Sequence, residues 1–331
     1  MKPFPKNGNL IGIDKLVFDL PYSIDLENKL QLADKVLNVS DDTGVINYSI
    51  GKLVGKTNVE VRIYKNYIRF TLNPVVEIYG SNFYTLSKEE VRRYLIRLQR
   101  DLGIDIFKGI IRRLDLQSTL KMIYNPASYF EVLGKHRYLI KSNILGSTLY
   151  YNSKSKTKYK TLLFYDKFKK EGKNTPLKFI DGNYLRYEAQ YYNKFLKGIA
   201  KKLSKEILTV QDLFDDEIYN KLIGYWYEDF EAIYKEQKTM FNANNINKPS
   251  DIDKLLASEG IKSIGSVEQV YKMIDAGLLM ANKEPSFKSK VKCRVKDIAN
   301  SKKVIIKTPF LDELESKIKE VFSSVISSVL T

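Results

Sequence analysis

Three strand-like segments carry polar residues at spacings suited to phosphate chemistry. In "IIRRLDLQSTL", Arg113, Asp115 and Gln117 share one face, because alternate residues of a strand point the same way. Arg112, Leu114 and Leu116 fall on the other, mostly apolar face, with Arg112 expected near its edge. "TLLFYDKF" groups Leu163, Tyr165 and Lys167, and "YLRYEAQYY" groups Arg186, Glu188 and Gln190. If these strands lie in one sheet, one face gathers Asp115, Glu188, Tyr165 and Lys167. Two carboxylates beside amide oxygens make a hard-oxygen site suited to Mg²⁺ or Mn²⁺, with Gln117, Gln190 or Glu60 as extra contacts. A cation there would polarise a scissile phosphate, and Lys167 would offset developing negative charge.

A tyrosine could then be the nucleophile. Its free pKa is about 10, so it attacks poorly at neutral pH unless a metal and a lysine favour the phenolate. Attack on a DNA phosphodiester leaves a phosphotyrosyl link and a free 3′ hydroxyl. Periodicity alone does not rank Tyr165 above Tyr150 or Tyr151. The plainer reading of each residue is structural: a strand acid that pairs with a base, and a tyrosine that packs.

The elements that must position these residues can be read along the chain. "NLIGIDKLVFDLPY" is a strand ended by Pro21. "GVINYSIG" and "NVEVRIYKNYIRFTLNP" alternate with period two around a Lys65-Asn66 turn. "PVVEIYGSNFYTLS" is read as a connecting segment. Ser87, with Glu90 three residues on, caps a helix that ends at Gly103. "NPASYFEVLG" suits a short helix, and strands follow near 136–142, 146–152 and 160–168. After about residue 194 the spacing turns helical. The expectation is an α+β chain: an antiparallel sheet domain over 1–195, then an all-α C-terminal domain over 196–331 for DNA binding or oligomerisation. The acid-bearing strands "EVRIY" and "RLDLQ", each with hairpins and a helix, fit two related halves too dissimilar to fix a repeat.

Charge narrows the partner. The chain carries +16, and residues 134–200 alone hold 15 basic against 4 acidic residues. Residues 201–331 are nearly balanced, 21 against 20. Such a concentrated field favours a polyanion, and the interleaved tyrosines could stack on bases. Arg113, Lys154, Lys156, Lys158, Lys160 and Arg186 are the candidate DNA contacts. Cys293 and His136 are the sole cysteine and histidine, which excludes a disulfide framework, a Cys-based zinc site and a paired-histidine metal site. No apolar run reaches membrane-spanning length, and the N-terminal residues have no signal core. In the second half, "SIGSVEQVYKMIDAGLL" has a helix-turn-helix flavour, with Gly265 and Ser266 before a helix and Gly277 after it. The tail "LDELESKIKEVFSSVISSVL" is amphipathic, which leaves a homo-oligomer contact open.

The ordered set Arg113-Leu114-Asp115, Tyr165-Asp166-Lys167 and Arg186-Tyr187-Glu188-Ala189, with "IDKLVFDLP" and "NPVVEIYGSNFYTLS", resembles the gene II replication initiators of filamentous phages and their plasmid relatives over roughly residues 10–200. The resemblance implies a site-specific nickase that starts rolling-circle replication at a phage or plasmid origin. It implies metal dependence, Tyr165 as nucleophile with Tyr150 and Tyr151 in reserve, and double- and single-stranded origin DNA as partners. A host helicase and polymerase would follow, in the cytoplasm of a bacterial cell. In one departure, many relatives carry Gly-His-Asn where this chain has Gly80-Ser81-Asn82. The rival readings are a non-catalytic origin- or RNA-binding protein and an assembly protein of a mobile element.

Overall fold

Two central strands, β1 (Gly12–Pro21) and β6 (Ile110–Met122), pair antiparallel and carry apolar residues on one face and polar residues on the other. The computed structural model describes residues 10–40, 47–53, 55, 58–144, 147–155, 157–180, 182–236, 239–241, 249–264, 266–277, 279, 283–299 and 305–327. Around the central pair lies one ten-stranded antiparallel sheet, ordered β2-β3-β4-β5-β1-β6-β11-β10-β9-β8. Its other strands are β2 (Leu32–Ser40), β3 (Asn47–Leu53), β4 (Val59–Ile63), β5 (Tyr67–Leu72), β8 (Leu139–Ile144), β9 (Thr148–Ser153), β10 (Lys160–Asp166) and β11 (Asn183–Tyr192). A short strand, β7 (Leu133–His136), pairs apart from it with β12 (Ile233–Lys235). With its flanking helices the chain is α+β, as the alternation of the strands requires.

The strand order has an internal correspondence. Each half starts on a central strand, passes through a short helix, α1 (Ile24–Lys29) or α4 (Pro126–Phe130), and builds outer strands back towards the centre. Each ends in a longer helix, α3 (Lys88–Leu102) after β5 or α6 (Asn193–Lys202) after β11. The topology therefore matches β1 with β6, rather than the expected "EVRIY" with "RLDLQ". It also sets Arg69 of β5, opposite Asp19, in the place of Arg186 of β11, opposite Thr119.

One face of the sheet is the core. Leu16, Phe18, Leu114, Leu116, Phe164 and Tyr187 are fully buried there, against Val91 and Leu95 of α3 and Leu196 and Ile199 of α6. The helices α7 (Asp216–Glu231) and α11 (Phe310–Ser327) join the same core through Leu222, Trp226 and Phe230, and through Leu314, Ile318 and Val321. Tyr187 stacks on Phe164 with ring centroids 4.5 Å apart and donates its hydroxyl to the Trp226 carbonyl at 3.0 Å. These contacts move the expected division at 195/196. The helices at 193–231 and 310–327 carry apolar stripes that only the sheet face can cover, so they belong to its compact unit, Met1–Glu236 with Phe310–Thr331.

The second unit, Gln237–Pro309, holds β13 (Thr239–Phe241) paired with β14 (Ile305–Lys307), and α8 (Pro249–Ile264), α9 (Val267–Asp275) and α10 (Pro285–Ala299). Ser266 caps α9 by accepting from the Gln269 amide at 3.1 Å, and Gly277 follows it in a left-handed conformation, φ 74°. Gly265 lies outside the described residues. No helix among the described residues is long and apolar enough to cross a membrane.

Local signals hold elsewhere. The Ser87–Glu90 capping box forms in both directions. Tyr64 and Tyr67 close the turn at Lys65-Asn66. "PVVEIY" is not a plain connection but a short helix, α2 (Pro74–Tyr79), with Pro74 in its first turn and left-handed Gly80 ending it.

Lys160, expected to contact DNA, lies instead on the core face. Its ammonium pairs with Asp229, which also accepts from the Tyr191 hydroxyl at 3.2 Å. Removing one partner strands a buried charge, so Lys160→Ala should lower the unfolding free energy in urea by about 3–5 kcal/mol. The salt dependence of any nucleic-acid binding should not change, and a loss of stability under about 1 kcal/mol would contradict the buried pair.

Candidate active site

The polar face of the second half is assembled by β6, β11 and β10. Register sets Glu188 opposite Gln117 and Leu163, Arg186 opposite Thr119 and Tyr165, and Gln190 opposite Asp115. Asp115 and Glu188 are thus diagonal neighbours on adjacent strands, with Tyr165 diagonal to Glu188 on the next. All three expected residues share one face, and each is at most 5% exposed.

The contacts among them are specific. The Tyr165 hydroxyl donates to Glu188 Oε2 at 3.1 Å, and Gln190 Nε2 donates to Glu188 Oε1 at 2.7 Å. Arg113 grips Asp115 through Nε and Nη2, both at 2.7 Å. Arg113 therefore orients a carboxylate of the site while about a quarter of its side chain, 26%, stays exposed. Arg186 is wholly buried. Its Nε donates to Thr119 Oγ1 at 2.9 Å, its Nη2 to the Asn82 carbonyl, and its Nη1 faces Asp14 Oδ1 at 3.6 Å. It is an internal strut, not an exposed phosphate contact. Lys167, also wholly buried, donates to Asn82 Oδ1 and to Glu171 Oε1, the latter at 2.6 Å. It opens the short helix α5 (Lys167–Glu171).

A segment after α2 closes over this face. The Thr85 hydroxyl oxygen accepts from Gln117 Nε2 at 3.0 Å, and Asn82 receives Lys167 and Arg186. Gly12 makes the close approach possible, since a Cβ there would sit 2.4 Å from the Leu86 carbonyl oxygen. Gly80-Ser81-Asn82 thus does reach the site, with Asn82 as its contact residue.

Asp14 is the acid that periodicity misses. Simple alternation puts it with Leu16 and Phe18 in the core. In the structure Ile13 pairs with Leu116 and Lys15 with Asp115, so a bulge admits one extra residue and frees Asp14 to face Arg186. A second irregularity lies between Val17 and Phe18. Beside it Arg112 turns from its expected apolar face to bond Asp19 Oδ2 at 2.6 Å.

The remaining expected residues sort by face and reach. Tyr150 lies on the site face, half-buried, opposite Leu163. Tyr151 points into the core, where its hydroxyl donates to the Gly134 carbonyl at 2.9 Å. Burial pushes its pKa up, as it does for Tyr165, but its ring lies on the face away from Asp115 and Glu188. Glu60 shares the site face but lies on β4, three strands from β6, which is about 14 Å at the usual strand spacing. It pairs with Arg62 at 2.7 Å instead. Lys154 and Lys158 are exposed on the β9–β10 hairpin, and Lys156 lies outside the described residues. His136 is buried and structural. Its Nδ1 accepts from the Tyr138 and Leu139 amides, and burial lowers its pKa to about 4.

Burial sets the electrostatics. It raises Asp115 to about 7, against the lowering pull of Arg113 and with the nearby charges of Glu188 and Asp14 adding to the rise. Asp14 is raised for the same first reason. Burial lowers Lys167 to about 7, aided by the Arg186 charge and opposed by Glu171. Burial, then the Glu188 charge, pushes Tyr165 well above its ordinary value. The Lys170 ammonium sits 3.8 Å above the Tyr165 ring.

The donor chemistry fits a hard cation. Asp115 and Glu188 offer oxygens only, and Asp14 Oδ1 has no hydrogen bond. Among the described residues no group of three or more His, Cys, Asp or Glu side chains is gathered as a metal site. Mg²⁺ commonly takes only one or two carboxylates and fills the rest of its shell with water and substrate phosphate.

No protein-family model and no curated protein matches the chain. Among solved structures it is similar to a rolling-circle replication initiator protein from Geobacillus stearothermophilus. The identity is 15%, covering 72% of this chain and 89% of that one, with a TM-score of 0.35. A likeness at that level assigns no role to any residue here.

Asp115 titrates near pH 7 when folded and near 3.8 otherwise. The folded chain thus keeps a proton that the unfolded chain has lost, and this group's contribution to stability falls as pH rises from about 4 to about 7. Asp115→Asn should remove that fall. Urea unfolding of both proteins between pH 4 and 8 should show the wild type losing stability relative to the variant by on the order of 4 kcal/mol. A pH-independent difference would contradict it.

Proposed function

We propose that the chain nicks and rejoins one strand of DNA through a covalent 5′-phosphotyrosine, as an initiator of rolling-circle replication at a phage or plasmid origin. The observation that carries this reading is the Tyr165 hydroxyl donating to Glu188 on the face that also holds Asp115. Tyr165 is the nucleophile and Glu188 receives its proton. The new bond joins the phenolic oxygen to phosphorus as the bond to the 3′ oxygen breaks, and the 3′ oxygen leaves with the bonding pair and takes a proton from water to become the free hydroxyl. Lys167, held by Asn82 and Glu171, offsets charge on the phosphate in its ammonium form. Asp115 and Glu188 would hold Mg²⁺ or Mn²⁺, which supplies Lewis acidity towards a phosphate oxygen. Arg113 keeps Asp115 oriented until a stronger cation competes for it.

Tyr165 is 1% exposed, so attack requires Lys170, an exposed residue with a long side chain, to leave the ring. Origin DNA in double- and single-stranded form is the proposed substrate. The freed 3′ end would pass to a host helicase and polymerase in the bacterial cytoplasm. The amphipathic α11 belongs to the sheet core, which removes the expected ground for a homo-oligomer contact there. The burial of Tyr165 favours one rival, an origin- or RNA-binding protein without catalysis.

Single-stranded DNA carrying the cognate origin, incubated with Mg²⁺ or Mn²⁺ and resolved under denaturing conditions, should show a protein–DNA adduct. Tyr165→Phe should reduce it to background, and Glu188→Gln should slow its formation by about 10²–10⁴-fold. An adduct that survives Tyr165→Phe but not Tyr150→Phe would move the nucleophile to Tyr150. Tight binding with no adduct under either ion would leave the rival reading.

A further inference from the structure

Beyond the carboxylates, the same sheet face ends in a cleft of about 670 Å³ that the nicking chemistry does not use. Arg69, Arg112, Lys158, Lys194 and Lys197 line it, with Asp19 as the sole acid among its described lining residues. Asp19 is taken up internally, by Arg69 Nε and Nη2 at 2.7 and 3.0 Å and by Arg112 Nε at 2.6 Å. These bonds hold two guanidiniums still while leaving them more than a quarter exposed. Lys158, Lys194 and Lys197 are exposed and make no ion pair among the described residues. The wall is thus five cations against one neutralised acid, partly pre-ordered, which is a field for phosphates.

Two further features select the kind of polyanion. Tyr67 and Tyr192 line the cleft beside the cations, and aromatic rings among cations suit unpaired bases. The space is concave and bounded by strand ends and the first turn of α6, which no side chain caps. A duplex, with its bases stacked inside, offers neither a free base for the rings nor a shape for the hollow.

The pseudo-equivalent positions agree. Where the second half sets Tyr165, Glu188 and Asp115, the matching register of the first half sets Arg62, Thr71 and Lys15. The first half thus carries Arg62 and Lys15, two cations and no acid, at the places of the reactive groups, and neither of them lines the cleft. Tyr192 lies four residues along β11 from Glu188, about 13 Å at strand rise, so one extended strand can span both places.

We infer that this cleft is a binding site for single-stranded DNA, gripping the backbone of a strand whose neighbouring segment lies at the carboxylates. The choice of DNA rests on the proposed function, but the test reads binding and no cleavage. Full-length Tyr165→Phe protein, with and without Lys158→Ala, Lys194→Ala and Lys197→Ala, is titrated into fluorescein-labelled dT12 and into a duplex of equal length. Anisotropy is followed from 50 to 200 mM NaCl.

The triple change should weaken single-strand binding at least about tenfold and reduce the slope of log K against log salt by about 2, at about 0.7 for each phosphate no longer neutralised. Duplex binding should change less than about twofold. Arg93→Ala with Arg97→Ala and Arg100→Ala, on the exposed side of α3, controls for net charge and should leave both unchanged. An unaltered slope, equal losses on duplex and single strand, or an equal loss in the control would overturn the inference. A chain that passes here yet never forms an adduct would refute the nicking reading alone.

Discussion

A guanidinium with no exposure organises the second half of this sheet. Arg186 projects from β11 and reaches Thr119 on β6, Asn82 in the covering segment and Asp14 in the β1 bulge. A buried charge is tolerated only where partners surround it. The partners here come from three separate stretches of chain, so the cation ties them into one wall. Its charge also offsets the nearby acids, working against the burial that raises Asp14 and Tyr165.

This wall makes the chemistry of the site a matter of balance among buried charges. Arg113 holds Asp115, Arg186 faces Asp14, and Glu188 accepts from Tyr165 and Gln190. Asp115 is pushed up to about 7 and Lys167 down to about 7, one acid and one base, by the same exclusion of water. Groups poised in this way are what a reaction needs that shifts a proton from a phenol and charge onto a phosphate. The first half, built on the same strand order, keeps the arginine but not the acids. Its Arg69 pairs with Asp19 near the open surface, where a phosphate can compete for it.

Much of the fold and part of the site were legible in the amino-acid order alone. Period-two alternation identified the face shared by Asp115, Tyr165 and Glu188, because unbroken strands carry parity faithfully across a ladder. It failed for Asp14 and Arg112, where a bulge shifts parity by one residue and no local residue type announces the shift. Lys160 reads as one of four evenly spaced surface lysines, and only Asp229, 69 positions away, explains its burial. Tyr151 and Tyr150 are adjacent and alike, yet the sheet gives them opposite faces.

The amino-acid order by itself determined most of the strands, the caps, the concentration of positive charge and, where no bulge intervenes, which side chains travel together on a strand. These are properties of neighbours along the chain, set by backbone geometry and local hydrogen bonds. The tertiary structure alone decided which acids meet, which cations are buried and which remain open to a ligand. Those outcomes depend on pairing between distant strands and on the exclusion of water from the space between them, and both appear only when the sheet closes against its helices and covering segment.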